Sequence, residues 1–125
     1  MPREDQHRAK AERNEQFADQ LDLSDVVQEN WAVVAAFYAA LHYTEQFFVA
    51  ADGTSCYGHE ERNNRFKSDF RIRAAYPSFE FLYSLSKKAR YHCDPLPLSV
   101  YQKQAKPRLA AVKRQMDFAI QKLRQ

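Results

Sequence analysis

The chain has 125 residues, 45% of them hydrophobic and 14% aromatic, with two glycines, two cysteines and a net charge of +3. That length makes one domain with room for a core, and so few glycines among many alanines and long charged side chains argue against an all-β fold and for helices. No apolar run approaches the roughly 18 residues of a membrane span, the start "MPREDQHRAKAERNEQ" has no signal-peptide core, and two cysteines do not make a disulfide scaffold, so a cytoplasmic chain with reduced thiols is expected.

Residues 4–20 are polar, and with Ala9, Phe17 and Leu21 as their few apolar neighbours they read as an amphipathic or partly frayed first helix. Residues 1–24 are thus expected to form a polar N-terminal helix and 25–125 the main helical bundle. "LDLSD" breaks the first helix. Asp22 or Ser24 suits a cap, and Asp25 with Gln28 has the spacing of a capping-box variant. The most apolar segment, "VVQENWAVVAAFYAALHYTEQFFVAA", then runs from Val26 to Ala51 without Gly or Pro. It is too long for a strand and reads as a helix. Its middle is apolar on nearly every face, which demands cover from its own fold or from a partner chain as well. A homodimer is one such arrangement, and Trp31 and Phe37 are expected in the core.

"DGTSCYG" is a loop, followed by a helix from His59 to Arg73 with Phe66 and Phe70 paired at i, i+4. Pro77 suits the first turn of a fourth helix, which buries Phe79, Leu82, Tyr83, Leu85 or Ser86, and Ala89, and ends near His92 before Pro95 and Pro97. Ser99 and Gln102 have capping-box spacing for a last helix ending near Leu123, with a stripe of Val112, Met116, Ala119, Ile120 and Leu123. Pro107 should kink that helix or mark where its regular part begins. The predicted architecture is all-α, a four- to five-helix up-and-down bundle.

Charge is unevenly distributed. Residues 22–58 contain five Asp or Glu and no Lys or Arg, whereas from residue 59 onward fifteen Lys or Arg face six Asp or Glu. This pattern suits a phosphate-facing surface, and equally the solvated faces of C-terminal helices. In "HEERNNRF", His59, Arg62, Asn63 and Phe66 share one helix face; His59 and Arg62 at a helix start suit an anion, or serve merely as first-turn and solvent-facing residues. Tyr38 and His42 pair at i, i+4 on the apolar helix, where a histidine requires a partner, either in the core or lining a site. Cys56 and His59 have C-x-x-H spacing, but adjacent His92 and Cys93 are unsuited to complete a closed zinc site, and no metal or cofactor is expected.

The order "AAFYAALHYTEQFF", loop, "YGHEERNNRF", "FEFLYSLSKKARYH", then a helix of small and aliphatic residues resembles the HEPN family (higher eukaryotes and prokaryotes nucleotide-binding) over residues 26–124. The resemblance implies a dimerising bundle that acts on RNA or nucleotides, with Tyr38, His42, His59, Arg62, Arg90 and Tyr91 as binding candidates. It places the protein in toxin–antitoxin or defence systems, with a small nucleotidyltransferase or an antitoxin as partner. Many members resemble metal-independent ribonucleases with an Arg, four to six residues, and a His. This chain departs from that pattern, since none of its histidines has an Arg five to seven positions earlier. Arg90 and His92 are two apart, and on one helix they point to opposite sides. A binder without standard nuclease activity is therefore expected first. A diverged ribonuclease using His59, Arg62 and Arg90, or His92, and a structural partner module are the alternatives.

Overall fold

The computed structural model describes residues 1–125 and is all-α. Five helices follow one another: α1 (Glu4–Gln20), α2 (Val26–Asp52), α3 (His59–Ser68), α4 (Tyr76–Tyr91) and α5 (Lys106–Leu123). A single 3₁₀ turn, Arg73–Ala75, leads into α4, and a π-helical segment, Tyr101–Ala105, leads into α5. No helix is long and apolar enough to cross a membrane.

Side-chain contacts fix the directions. Glu4 of α1 meets Gln46 of α2, and His7 meets His42, so these two helices are antiparallel. Arg8 and Glu15 of α1 reach Asp117 and Lys113 of α5, again antiparallel. The end of α4 reaches Tyr38, while the chain just before it places Arg71 over Phe47, so α4 runs against α2. The four long helices thus alternate in direction, with the ten-residue α3 between α2 and α4 in the chain. One cluster of buried side chains unites them, and Ala11 and Ala18 of α1 belong to it. The buried face of α1 is His7, Ala11 and Ala18; Ala9 and Phe17 lie outside it.

Asp25 is the N-cap of α2, accepting the Val27 N–H at 2.9 Å, and Gly53 ends the helix in the left-handed region at φ 75°. From Ala32 to Phe48 the helix is buried almost all round by α1, α4 and α5, so its apolar middle finds its cover within the chain. Phe37 is fully buried as expected, but Trp31 is 54% exposed and is not a core residue.

Three local expectations are corrected. First, α3 stops at Ser68, because Asp69 turns the chain by accepting both the Arg71 backbone N–H and its guanidinium. Phe70 therefore falls outside the helix and is 78% exposed; Ile72 fills the core instead. Second, Ser99 forms no capping box with Gln102. Its hydroxyl bonds the Leu98 carbonyl, and the free N–H of Tyr101 is taken at 2.6 Å by the buried carboxylate of Glu29 on α2. Burial raises the Glu29 pKa, and the Tyr101 and Val100 N–H groups oppose that rise. The cap for the last helix thus comes from across the bundle. Third, Leu123 is partly exposed, while Val112, Met116, Ala119 and Ile120 form the buried stripe. Pro107, which lacks an N–H, sits directly after the π-helical segment, where the ladder is already displaced.

Candidate functional site

Phe37 is the pivot of the candidate face. Its ring centroid lies 5.2 Å from that of Tyr38, 6.0 Å from His59 and 5.4 Å from Tyr83. Residues from α2, α3 and α4 are thereby brought to one side of the bundle. His59 packs edge-on to Tyr83 at 4.7 Å, and the Lys87 ammonium lies 4.9 Å from the Tyr83 ring centroid. Arg90, one turn further along α4 from Ser86, donates through Nη1 to the Tyr38 hydroxyl at 3.1 Å and through Nε to the Ser86 carbonyl. Its guanidinium also approaches the Tyr91 ring, 5.0 Å from the centroid, and the Tyr38 ring at 5.8 Å. Neither Arg90 nor Lys87 takes part in an ion pair.

The last turn of α4 opens onto a groove of about 410 Å³ bordered by Val27, Trp31 and Val34 of α2 and by Arg90, His92 and Cys93. The helix ends at Tyr91, and His92 has an extended backbone, φ −82° and ψ 140°. Arg90 and His92 therefore border the same groove, although on a continuing helix they would diverge. Asn30 secures the far wall, accepting the Leu96 N–H at 3.0 Å.

Arg62 has a different environment. It is buried, and its Nε donates to Glu45 Oε1 at 2.7 Å while Nη1 meets His59 Nδ1 at 3.2 Å. The other Glu45 oxygen accepts the Cys56 N–H at 3.0 Å. One carboxylate from the middle of α2 thus holds both α3 and the preceding loop. Burial lowers the His59 pKa, and the Arg62, Arg90 and Lys87 cations lower it further. His59 is a neutral ring among cations, with Nδ1 accepting from Arg62 and Nε2 carrying the proton.

His42 turns away from the aromatic face toward α1. Its Nδ1 lies 3.0 Å from His7 Nδ1, and His7 Nε2 lies 3.0 Å from the Ser55 hydroxyl. Burial, together with His7, Lys10 and Arg62, lowers the His42 pKa to about 4. Burial also lowers that of His7, with Glu45 opposing and Arg62 and Lys10 adding to the shift. Cys56 borders the same cavity, and burial pushes its thiol up to about 11, so it is not a thiolate at neutral pH. No group of three or more His, Cys, Asp or Glu side chains is arranged to hold a metal.

The candidates of the sequence therefore divide in two. Tyr38, His59, Arg90 and Tyr91 gather on one face with Arg62 behind them, and His42 belongs to a second cluster with His7 and Ser55. Tyr83, Lys87 and Trp31 join the first without having been marked as site residues. Glu45 carried a legible signal, since an acid within so apolar a helix requires a cation. His7 carried none, because nothing in its polar helix distinguishes it.

The depressed histidines predict an acid-labile fold. Below the ordinary histidine value of 6.5, unfolded chains take up protons that buried His42 refuses until about 4. Stability is therefore full above 6.5 and falls as pH drops through that window, by about 1–2 kcal/mol after allowing for partial solvent exposure. Thermal melts between pH 7 and 4 should show this fall, and His42→Gln should flatten it; a melting temperature constant over that range would contradict the assignment.

No protein-family model, curated protein or solved structure matches this chain.

Proposed function

We propose that this protein binds single-stranded RNA or a nucleotide on the aromatic and cationic face of α3 and α4, as its HEPN-like sequence pattern suggests. The observation that carries the proposal is Arg90, a cation with no carboxylate partner, oriented by the Tyr38 hydroxyl and set among tyrosine rings beside an open groove. Single-stranded ligands are held by such pairings of phosphate-binding cations with stacking platforms. Lys87, over Tyr83, extends the positive character along α4, and neutral His59 offers a donor between them. Arg62, already paired with Glu45, supports this face from behind.

The test is fluorescence anisotropy with a labelled oligoribonucleotide and with mononucleotides at two salt concentrations. Arg90→Ala should weaken binding about tenfold and reduce the salt slope by about one, with little change in melting temperature. Absence of RNA or nucleotide binding at low salt, with no thermal shift by either, would reject the reading and favour a protein-partner module.

A second reading rests on the shared position of Arg90 and His92 at the groove. In a metal-independent ribonuclease, the arginine stabilises the attacked phosphodiester and a histidine moves the proton. Cleavage in the presence of EDTA, lost in Arg90→Ala and His92→Ala, distinguishes this from binding alone. In either reading the cytoplasmic homodimer and the nucleotidyltransferase or antitoxin partner belong to the HEPN resemblance. With the middle of α2 covered by its own chain, exposed Trp31 and Val27 are what that helix offers to a second subunit.

A further inference from the structure

The loop residue Ser55 completes a three-member chain with His7 and His42 that RNA binding does not use. The serine hydroxyl is 3.0 Å from His7 Nε2, and His7 Nδ1 is 3.0 Å from His42 Nδ1. The two rings stack with centroids 5.3 Å apart, so their relative orientation is held. Two proton arrangements satisfy both contacts with every group neutral. In one, His42 donates to His7 and His7 donates to the serine oxygen. In the other, the serine hydroxyl donates to His7 Nε2, His7 Nδ1–H donates to His42, and the His42 proton resides on Nε2. The second arrangement is that of an activated nucleophile: a hydroxyl on a base, and the base oriented by a third group.

We propose that Ser55 is the nucleophile of an acyl-transfer centre that hydrolyses small esters, with His7 as its general base and His42 as the residue that positions His7. The surroundings suit that chemistry. All three line one cavity of about 410 Å³ with Leu41, Tyr57 and Arg62. The apolar members receive the acyl group. Ser55 is half-buried on a loop, where a substrate reaches its hydroxyl. The N–H groups of Ser55, Cys56 and Tyr57 are engaged, by Met1 Sδ, Glu45 and Glu61, so the negative charge on the attacked carbonyl falls to Arg62, which lines the same cavity. Bonds to Glu45 and His59 occupy Nε and Nη1 of Arg62, which leaves Nη2. Burial disfavours a charged His42, as do His7, Lys10, Arg62 and Arg13; at His7, Glu45 opposes Arg62 and Lys10. His42 is consequently uncharged at neutral pH, and in the second arrangement its Nδ1 accepts from His7.

In the forward step, Ser55 Oγ attacks the ester carbonyl carbon as its proton passes to His7 Nε2. The carbonyl π pair moves to oxygen. Collapse re-forms the carbonyl, breaks the bond to the alcohol oxygen, and returns the proton from His7 to the departing alcohol. Water then repeats the sequence on the acyl-serine, releasing the carboxylic acid and restoring the hydroxyl. No redox partner is needed.

The experiment treats the full chain with an alkyl fluorophosphonate, in which the serine oxygen displaces fluoride from phosphorus, and measures hydrolysis of p-nitrophenyl esters of increasing acyl length. The expected result is one phosphonyl adduct, mapped to Ser55 by peptide mass spectrometry. Ester turnover should fall at least about a hundredfold in Ser55→Ala. His7→Gln should lose both labelling and turnover with its helical circular dichroism intact. His42→Gln should keep a folded protein but move the acid limb of the pH–rate profile, a change that mere packing would not produce. Absence of an adduct, an adduct elsewhere, or equal labelling of Ser55 in His7→Gln would overturn the proposal. These outcomes are independent of RNA binding, since the Ser55 and Arg90 variants are read in separate assays.

Discussion

Glu45→Ala is expected to lose about 3–5 kcal/mol of stability, because it leaves a buried arginine without its counter-charge. Glu45 is 2% exposed, and its two oxygens bond Arg62 Nε and the Cys56 N–H. Removing the carboxylate thus strands a guanidinium and a loop N–H together. Urea unfolding monitored by circular dichroism measures the loss. The partner substitution separates stranding from simple removal of a contact. Combining Glu45→Ala with Arg62→Met should recover a large part of the loss, since an apolar side chain tolerates the site better than an isolated charge. A single-variant loss below about 1 kcal/mol, the range of exposed ion pairs, would show that water reaches the pair freely. Loosening of the 53–58 loop should accompany the loss, visible as faster hydrogen exchange at Cys56.

Phe37→Ala is the second large effect, expected at about 3–5 kcal/mol. The ring is fully buried and meets Tyr38, His59, Phe79 and Tyr83, so truncation removes the platform on which three helices converge. Phe37→Leu retains most of the volume and should cost less than about 1.5 kcal/mol. The alanine variant should also weaken RNA binding under conditions where it remains folded, because Tyr38 and His59 lose their shared support. An alanine variant as stable as the leucine one would mean that neighbouring rings collapse into the space, and unaltered affinity would separate the core from the face above it.

Much of the architecture was legible in the residues. The apolar run after Asp25, free of Gly and Pro, specified a long central helix, and Pro77, Pro95 and Pro97 bounded the fourth. Such features act through neighbours in sequence, by capping, periodicity and backbone restriction, and they survive without knowledge of the fold. The alternating bundle followed from several amphipathic helices joined by short connections. Of the six candidates that the HEPN resemblance implies, Arg90, Tyr91, Tyr38 and His59 gather on one face, Arg62 lies behind it paired with Glu45, and His42 turns to His7.

Other features depended on contacts far apart in the chain. The N–H of Tyr101 is capped by Glu29 rather than by Ser99, since a buried carboxylate from α2 occupies the place that a local side chain would have taken. Trp31 and Phe70 are as apolar as any core residue, yet one lies where the bundle leaves α2 uncovered and the other follows a helix that Asp69 ends early. Arg62 reads as a free cation beside His59 until α2 presents Glu45 to it. Ser55 and His7 are unremarkable at their places in the sequence, and His42, which needs a partner in so apolar a helix, gives no sign of which one; 35 and 48 residues separate His7 from His42 and Ser55. Periodicity reports which face a helix buries, but the partner across that face is set by how the helices pack. Local residue patterns specify the helices and their order; the packing of α1 and α4 against α2 sets which side chains meet, and therefore which chemistry this protein has to offer.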